Sequence, residues 1–392
     1  MVDKLTMIFD LSNMFMRSLH TLIYKGDGPG TFDSDEENAM LVRKMAVDIS
    51  YILRTFNPER VIFASDSKHP WRKEIYESIE GMDYKGNRKK DNDKNWDKIF
   101  TSLKEFEEIL ENFGTIVTKI EHAEADDVAA MWKRRLCDKE NIIFVTSDRD
   151  WLQLIEFNQS TKWFCACYNP IVNNKGRKVL SLTKEMQEWV FSPQENKCDI
   201  FFNNLSKCKN ILETVSQKDS KISIDTVNPD NVLLSKILAG DAGDNVPSFM
   251  TYYKSGKLQR ITELKAGKLC ESLKVNNVQD LINVDASGDL KPAVEKIMNY
   301  PIDGFDTTER LKRQRSLVEL NPDLFPKAIV GEFVWHANKY EEGGKISTAN
   351  IRMQNILANT KYLDEEYERP KENSIFEDLK VIEKLFGIQR NF

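Results

Sequence analysis

Acidic residues recur in five separate stretches of the sequence, and their side chains are the groups most able to do chemistry. The nine carboxylates are Asp10, Asp66, Glu124, Asp126, Asp127, Asp148, Asp150, Asp241 and Asp244. If they converge, they repel one another, because like charges a few ångströms apart cannot all stay ionised. Bound hard cations would compensate this charge, and oxygen ligands suit magnesium or manganese. Two such ions about 4 Å apart can stabilise the attacking and leaving oxygens of a phosphodiester.

Each acid also has a simpler explanation when it is considered alone. An aspartate after a strand often caps the next helix by accepting hydrogen bonds from backbone N–H groups. Asp10, Glu124 and Asp148 could each have this role. The coincidence of five acidic stretches, three of them doubled, favours a shared metal site over capping alone.

A basic and aromatic segment lies between residues 67 and 95. It contains Tyr84-Lys85-Gly86-Asn87-Arg88-Lys89-Lys90, with Arg72 and Lys73 upstream. Clustered cations contact phosphates, and aromatic rings offer stacking surfaces for unpaired bases. The alternative is a solvated charge run, since three aspartates follow between residues 91 and 97. Beside an acidic metal site the nucleic-acid interpretation is favoured, because an enzyme that cuts phosphodiesters must hold a polyanion next to its carboxylates.

Strand-like and helical patterns alternate in the first half of the chain, and they must position these groups. Apolar runs predict strands at residues 5–9, 60–64, 116–117 and 141–146, and apolar positions at helical spacing predict helices at 36–56 and 96–113. This alternation is typical of an α/β fold with a parallel sheet and helices on both faces. Ligands of such sheets bind at the carboxyl ends of the strands. Asp10, Asp66 and Asp148 follow three of the predicted strands, so we expect them to meet at one edge.

The second half of the chain has a different character. Residues 192–230 are polar and predict an insertion or linker, and from about residue 231 the chain is predicted to be mostly helical. An amphipathic helix is predicted at 375–388. Packing onto the domain is favoured for it over docking to a sliding clamp or a single-strand-binding protein.

Composition restricts the class of protein. The chain has 392 residues, 41% of them hydrophobic, and a formal net charge of −6. No apolar run is long enough to predict a membrane span, and residues 1–4 do not resemble the start of a signal peptide. Six cysteines do not predict a disulfide framework in a chain this long, so we expect a reduced, cytoplasmic location. Zinc binding by Cys165, Cys167, Cys198 and Cys208 is the alternative to structural cysteines, but their spacing fits no standard zinc pattern.

Six motifs together resemble the structure-specific 5′-nucleases: flap endonucleases, the 5′-nuclease domains of bacterial DNA polymerase I, and phage enzymes. The motifs occur in the order of that family, and C-terminal residues 310–326 are similar to the RNases H of T-even phages. The motifs are Asp10-Leu11-Ser12-Asn13, Ala64-Ser65-Asp66, Tyr84-Lys85-Gly86-Asn87-Arg88, Glu124-Ala125-Asp126-Asp127, Ser147-Asp148-Arg149-Asp150 and Gly240-Asp241-Ala242-Gly243-Asp244-Asn245-Val246-Pro247.

The resemblance implies a PIN-like fold, a mostly parallel sheet flanked by helices, and it implies a division of the chain. It predicts a nuclease core at 1–190 with a helical arch at about 67–95, and the polar insertion at 191–230. A helix–three-turn–helix region that binds duplex is expected at 231–300, followed by a C-terminal helical region at 301–392.

The resemblance also implies roles for individual residues. Asp66, Glu124, Asp126 and Asp148 match the tighter of two metal sites, with Asp10 lining the cluster. Asp150, Asp241 and Asp244 match the looser site, and Asp127 lies between them. Lys85, Arg88 and Asp127 are expected to be catalytic. The expected nucleic-acid contacts are Arg72, Lys73, Tyr84, Lys85, Arg88, Lys89, Lys236, Lys254, Lys257 and Arg260.

The duplex-binding region departs from the family pattern. The family has Gly-Ile-Gly where this chain has Arg260-Ile261-Thr262. Those glycines allow backbone N–H groups to approach phosphate closely. Whether potassium binds there is therefore left open, and the duplex grip is expected to depend on side chains such as Lys254, Lys257 and Arg260.

The function expected from the resemblance is metal-dependent hydrolysis at 5′ ends and flaps of DNA or RNA–DNA duplexes. Two Mg²⁺ ions are the expected cofactor, Mn²⁺ being able to substitute, and the chain is expected to be monomeric. RNA primers in phage-type replication are the expected substrate, which would give the enzyme RNase H activity. A PIN-type ribonuclease acting on single strands and a non-catalytic nucleic-acid-binding protein are the alternatives.

Overall fold

The computed structural model describes residues 4–25, 31–56, 58–80, 84–86, 94–112, 115–173, 176–191, 212, 222–301 and 304–342. The predicted amphipathic helix at 375–388 lies outside these residues. Within the described residues, no helix is long and apolar enough to cross a membrane.

The first half of the chain forms a mostly parallel sheet with helices between its strands. In chain order the elements are β1 (Leu5–Asp10), α1 (Leu11–Lys25), α2 (Asp35–Phe56), β2 (Arg60–Ser65), α3 (Trp71–Glu80), α4 (Trp96–Asn112), β3 (Ile116–Lys119), α5 (Ala125–Leu136), β4 (Asn141–Val145), a 3-10 helix (Asp150–Leu154), β5 (Glu156–Phe157), β6 (Phe164–Asn169), β7 (Lys178–Leu182), α6 (Lys184–Phe191) and β8 (Ile222–Thr226).

The sheet order is β3-β2-β1-β4-β6-β7-β8, with β5 pairing outside this path to β6. The pairs from β3 through β6 are parallel, β6 pairs antiparallel with both β5 and β7, and β7 and β8 are parallel. The predicted α/β class, the four strands and the two helices are confirmed. The four later strands, β5 to β8, were not predicted.

The two faces of the sheet are covered by separate apolar clusters, as alternation along a strand requires. Met7 and Phe9 of β1 join the cluster formed with α1, α2 and α4, whereas Ile8 joins the cluster formed with α5. All six residues of β1 are buried. Burial on both faces explains why this strand is a continuous apolar run rather than an alternating one.

The second half of the chain is mostly helical and has its own apolar cluster. It contains α7 (Pro229–Ala239), a hairpin of β9 (Thr251–Lys254) and β10 (Lys257–Arg260), α8 (Glu263–Leu273), α9 (Val278–Ala286), α10 (Leu290–Met298), α11 (Thr307–Val318), a 3-10 turn (Pro322–Leu324) and α12 (Lys327–Glu342). Two features differ from expectation. Residues 222–226, predicted to lie in a polar linker, form β8 against β7, and a β-hairpin stands within the predicted helical region.

Candidate active site

The carboxyl ends of β1 and β4 bring Asp10 and Asp148 to the same edge of the sheet. Asp10 is the last residue of β1, and one of its oxygens accepts a hydrogen bond from the Asn13 backbone N–H at 3.0 Å. Its other oxygen accepts from the Thr146 hydroxyl at 2.8 Å. That hydroxyl also accepts from the backbone N–H of Asp148 at 3.0 Å. One threonine therefore joins the ends of the two strands.

The end of β2 and the N-terminus of α5 add three more acids to this edge. Asp66, after β2, accepts from the backbone N–H of Ala125 at 2.8 Å. Glu124 is the N-cap residue of α5 and is buried. Asp126 accepts from the indole N–H of Trp151 at 2.6 Å. Capping and convergence are thus both true of Asp10, which accepts from the Asn13 N–H in the first turn of α1 and also lies in the cluster.

Burial first, and repulsion between neighbouring carboxylates second, raise the pKa values of several acids in the cluster. Burial, reinforced by Asp66 and Asp148, raises the pKa of Asp10 to about 8. Burial and then the charges of Asp148, Glu124 and Asp10 raise the pKa of Asp126 well above its ordinary value. The pKa of Asp150 is raised to about 7, by burial first and by Asp148 second. Asp148 therefore contributes to the raised pKa of three neighbouring carboxyls.

Two lysines neutralise the outer acids. Lys236, on α7, forms ion pairs with Asp150 and Asp241. Lys85 forms an ion pair with Glu124 and lies 3.5 Å from an Asp244 oxygen. Burial alone would raise the pKa of Glu124, but Lys85 and Arg72 outweigh it and hold that pKa below its ordinary value. Lys236 likewise lowers the pKa of Asp241 against the effect of burial.

The donor set fits a hard divalent cation by its chemistry. Every candidate ligand at the edge is a carboxylate oxygen. Burial and then repulsion raise the pKa values of Asp10 and Asp126, and a bound cation would relieve the repulsion. Within the described residues, no three Asp, Glu, His or Cys side chains are arranged to hold a metal ion as they stand. Lysine ammonium groups lie between the outer carboxylates instead. The ligand set of nine acids stays a prediction.

Asp127 is directed away from this edge, contrary to its predicted place among the metal ligands. It is fully buried, and one of its oxygens lies 2.7 Å from Nη2 of Arg72. Its other oxygen accepts from the Trp71 indole N–H at 2.9 Å and from the Glu124 backbone N–H at 3.1 Å. With both oxygens occupied by α3 and by the start of α5, Asp127 is a positioning residue in this structure.

Arg72, a predicted nucleic-acid contact, is corrected for a related reason. Its side chain is 2% exposed, ion-paired to Asp127 and 3.4 Å from Glu124. Its guanidinium lies 4.7 Å from the Trp71 ring centroid and 5.7 Å from that of Phe325. The arginine turns inward, where its charge lies beside two buried carboxylates, Asp127 and Glu124.

Tyr84 is also buried rather than available for stacking on a base. Its hydroxyl lies 3.1 Å from a Glu124 oxygen, and its ring packs against Tyr76 with centroids 5.9 Å apart. The Tyr76 hydroxyl donates to the backbone carbonyl of Asn245. Sequence patterns did not identify Tyr76, although its place on α3 ties that helix to the loop that carries Asp241 and Asp244.

The remaining predicted contacts divide into two groups. Lys73 is partly exposed on α3, and Lys254, Lys257 and Arg260 are exposed on the hairpin. Arg88 and Lys89 lie outside the described residues. The cysteine alternative is not supported for the pair that is described, because Cys165 and Cys167 are buried in strand β6 as free thiols.

Parallel strands that gather carboxylates at their carboxyl ends, flanked by helices on both faces, define a PIN-like, resolvase-like domain. Residues 5–185 match the family model described as the 5′-3′ exonuclease, N-terminal resolvase-like domain. The match covers less than half of the 392 residues, and over this domain the chain is similar to the 5′-3′ exonucleases.

Known proteins resemble the chain in sequence or in fold. A 5′-3′ exonuclease of Mycoplasmopsis pulmonis (strain UAB CTIP) is 23% identical over 229 residues, which are 58% of this chain and 59% of that protein. The chain therefore spans less than two thirds of the length of this relative. The T5 5′-exonuclease with bound divalent metal ions (zinc) has a TM-score of 0.53 at 17% identity, covering 86% of this chain and 99% of that one. A bacteriophage T5 flap endonuclease, solved as a pseudo-enzyme–product complex with DNA and metal ions, has a TM-score of 0.52 at 15% identity, covering 86% and 100%. Both structures share the fold.

The acidic edge makes stability depend on pH in a defined direction. A carboxyl with a raised folded-state pKa holds its proton more tightly in the folded chain, so stability rises as pH falls toward its ordinary value. The relevant values are about 8 for Asp10 and about 7 for Asp150. In a chelator, we expect a higher unfolding temperature at about pH 5.5 than at about pH 8.5. Thermal unfolding monitored by circular dichroism checks this.

The matched variant Asp10→Asn should give a shallower dependence on pH, because it removes the carboxyl whose pKa is raised to about 8, against about 7 for Asp150. An unfolding temperature that rises with pH over this range, or a variant as steep as the wild type, would contradict the assignment of repulsion to this edge.

Proposed function

We propose that the protein is a divalent-metal-dependent 5′-nuclease that hydrolyses phosphodiesters at 5′ ends and flaps of DNA or RNA–DNA duplexes. The observation that carries the proposal is the convergence of Asp10, Asp126 and Asp148 at the carboxyl edge of the sheet, with raised pKa values for Asp10 and Asp126. The metal-bound and DNA-bound T5 enzymes support it, since they share this fold.

The cations of the proposal are two Mg²⁺ ions, which Mn²⁺ can replace. The residues that would hold them are Asp10, Asp66, Glu124, Asp126, Asp148, Asp150, Asp241 and Asp244, and the ions would supply charge stabilisation and an acidified water. Asp127 would position this set, because its carboxylate accepts a hydrogen bond from the backbone N–H of Glu124.

Lys85 and Lys236, which pair with carboxylates in this structure, are also proposed to face the scissile phosphate. Each ammonium lies on a pair of carboxylates, so each is held at the edge where a phosphodiester would arrive. With the carboxylates bound to cations, the ammonium groups of Lys85 and Lys236 would be free to face the phosphate. Arg88, proposed to act with Lys85 on the scissile phosphate, is assigned this role by family resemblance.

Cleavage of labelled substrates tests the proposal. We expect short 5′ products from flapped and nicked duplexes that carry a 5′ label, in magnesium or manganese but not in a chelator. An RNA-primed duplex, run beside its all-DNA counterpart, tests whether RNA primers of phage-type replication are removed. Failure of every duplex substrate in both metals would refute the proposed activity.

The alternative, a PIN-type ribonuclease, predicts cutting of RNA that has no duplex. The helical half after residue 229 favours the duplex-directed proposal, because a nuclease for single strands does not need it. A non-catalytic binding protein predicts duplex binding with no metal-dependent products, so the same gel separates all three functions.

The same proposal includes a monomer in the cytoplasm, acting with a sliding clamp or a single-strand-binding protein. The segment proposed for such a partner, residues 375–388, lies outside the described residues. Deletion of residues 371–392 tests the partner role, because partner-dependent stimulation that stays intact in the deleted chain would exclude it. Packing of this helix onto the domain remains the favoured role.

A further inference from the structure

The 3-10 helix at Asp150–Leu154 carries one proposed metal ligand and a hydrogen-bond donor to another. Asp150, its first residue, forms an ion pair with Lys236. Trp151, the next residue, is fully buried, and its indole N–H donates to Asp126 at 2.6 Å. Its ring meets Phe144 of β4 edge-on, with centroids 5.5 Å apart. A shift of this short helix would therefore move Asp150 together with the donor that holds Asp126.

The 3-10 helix is too short to fix its own orientation. The backbone N–H of Leu152 bonds the Arg149 carbonyl at 3.1 Å, and the Ile155 N–H bonds the Leu152 carbonyl at 3.4 Å. Hydrogen-bond geometry in a 3-10 helix is poorer than in an α-helix, so a single turn of it adds little rigidity. Contacts with the rest of the chain must therefore set its position.

Gln153 joins this helix to a segment 165 residues further along the chain. Its side-chain N–H donates to the Val318 carbonyl at 3.0 Å, and its side-chain carbonyl accepts from the Leu320 backbone N–H at 2.8 Å. Val318 is the last residue of α11, where a helix leaves carbonyl groups without a partner inside the helix. One amide side chain thus bonds the main chain on both sides of the point where α11 ends.

The same C-terminal segment also contacts α3, through Phe325. The Phe325 ring packs against Trp71 with centroids 5.8 Å apart, and both residues belong to the apolar cluster that contains Trp151. Trp71 donates its indole N–H to Asp127 at 2.9 Å, as Trp151 donates to Asp126. Two consecutive acids of α5 are therefore each held by an indole, and the C-terminal segment packs in the cluster that fixes both indoles.

We propose that Gln153 is a positioning residue of the acidic edge, because it holds the 3-10 helix, and with it Asp150 and Trp151, against residues 318–320. This role rests on the proposed function and deepens it, since it names what keeps two of the proposed metal ligands in place. Residues 318–320 lie outside the matched domain at 5–185. The affinity of the edge for a divalent cation then depends on a part of the chain that is distant in sequence.

Manganese binding without nucleic acid tests this role. Gln153→Met keeps the length of the side chain but removes both hydrogen bonds, and Trp151→Phe removes the indole donor while it keeps a ring against Phe144. Isothermal titration of the full chain with manganese should show about fivefold weaker binding for Gln153→Met and about tenfold for Trp151→Phe, the scale for groups that orient metal ligands. Because both act through the 3-10 helix, the double variant should lose less than the product of the two single losses.

Gln187→Met is the matched control. Gln187 is half-buried, as Gln153 is, and accepts a hydrogen bond from the Thr226 hydroxyl of β8. It follows β7, which runs antiparallel to β6, so it lies toward the opposite edge of the sheet. This variant should bind manganese as the wild type does.

A purely structural role for Gln153 predicts a lower unfolding temperature in a chelator with unchanged manganese affinity, and that result would overturn the proposal. Unchanged affinity in Trp151→Phe would also overturn it, whether or not Gln153→Met folds, because the path from the 3-10 helix to Asp126 would then have no effect. Circular dichroism shows which variants are folded.

Cleavage separates this role from the proposed function. Gln153→Met should need about fivefold more manganese for half-maximal cleavage of a flap substrate, with the rate restored at saturating manganese. If the variants bind manganese as expected but the wild type cuts no duplex, the proposed function fails and the positioning role stands. If the wild type cuts while Gln153→Met keeps full manganese affinity, the positioning role alone fails.

Discussion

Asp148→Asn is expected to abolish cleavage while it makes the metal-free protein more stable. Asp148 raises the pKa values of Asp10, Asp126 and Asp150, so removing its charge relieves three carboxyls at once. The same charge is needed to hold a cation at the edge. We expect cleavage of a flap substrate to fall on the order of a thousandfold, the upper range for losing one preorganised charge-stabilising group.

Loss of cleavage together with a gain in metal-free stability is expected only if Asp148 both binds the cation and repels the neighbouring carboxylates. Asparagine keeps the oxygen that accepts the Asp150 N–H at 2.9 Å, so local geometry is retained. The control is Asp225→Asn, because Asp225 is exposed on the outermost strand, β8. Single-turnover cleavage and thermal unfolding in a chelator are the measurements. A variant that cuts at near wild-type rate, or one that loses stability in the chelator, would show that Asp148 is not at the centre of the cluster.

Arg72→Met is expected to lower the free energy of unfolding by about 3–5 kcal/mol, the usual cost of leaving a buried charge without its partner. The arginine neutralises Asp127, which is fully buried, and contributes to neutralising Glu124. Methionine keeps much of the apolar stem between Trp71 and Phe325 but leaves both carboxylates without this cation. Chemical denaturation, analysed by linear extrapolation, measures the change.

An exposed ion pair provides the matched control. Arg134 lies 2.5 Å from Asp323, with both side chains more than half exposed. Arg134→Met should therefore change the free energy of unfolding by no more than about 1 kcal/mol. If the two variants lost the same stability, the burial of Arg72 would have no energetic consequence, and Asp127 would again be a candidate metal ligand.

Local sequence determined most of the α/β core and the place where its acids meet. A buried parallel strand is a short apolar run, and an aspartate directly after it stands at the carboxyl edge whatever the rest of the chain does. Asp10, Asp66 and Asp148 could be placed in this way. The β9–β10 hairpin was not predicted, because the chain from about residue 231 was expected to be mostly helical. Ser255-Gly256, between two short β-prone segments, is nevertheless a turn signal in the sequence.

Tertiary structure alone decided which charges face the edge and which support it. Glu124, Asp126 and Asp127 are close in sequence, yet their partners differ. Asp127 pairs with Arg72 and Trp71 of α3, whereas Asp126 accepts from Trp151 and Glu124 pairs with Lys85. Lys236 meets Asp150 across 86 residues, 236 minus 150, and Arg72 meets Asp127 across 55, 127 minus 72. Such pairs depend on how α7 and α3 pack against α5 and the strand ends. The sequence by itself therefore determined that the acids converge, and the packing decided which lysines and which arginine balance them, because pairing between distant charges is fixed only when the helices that carry them are docked.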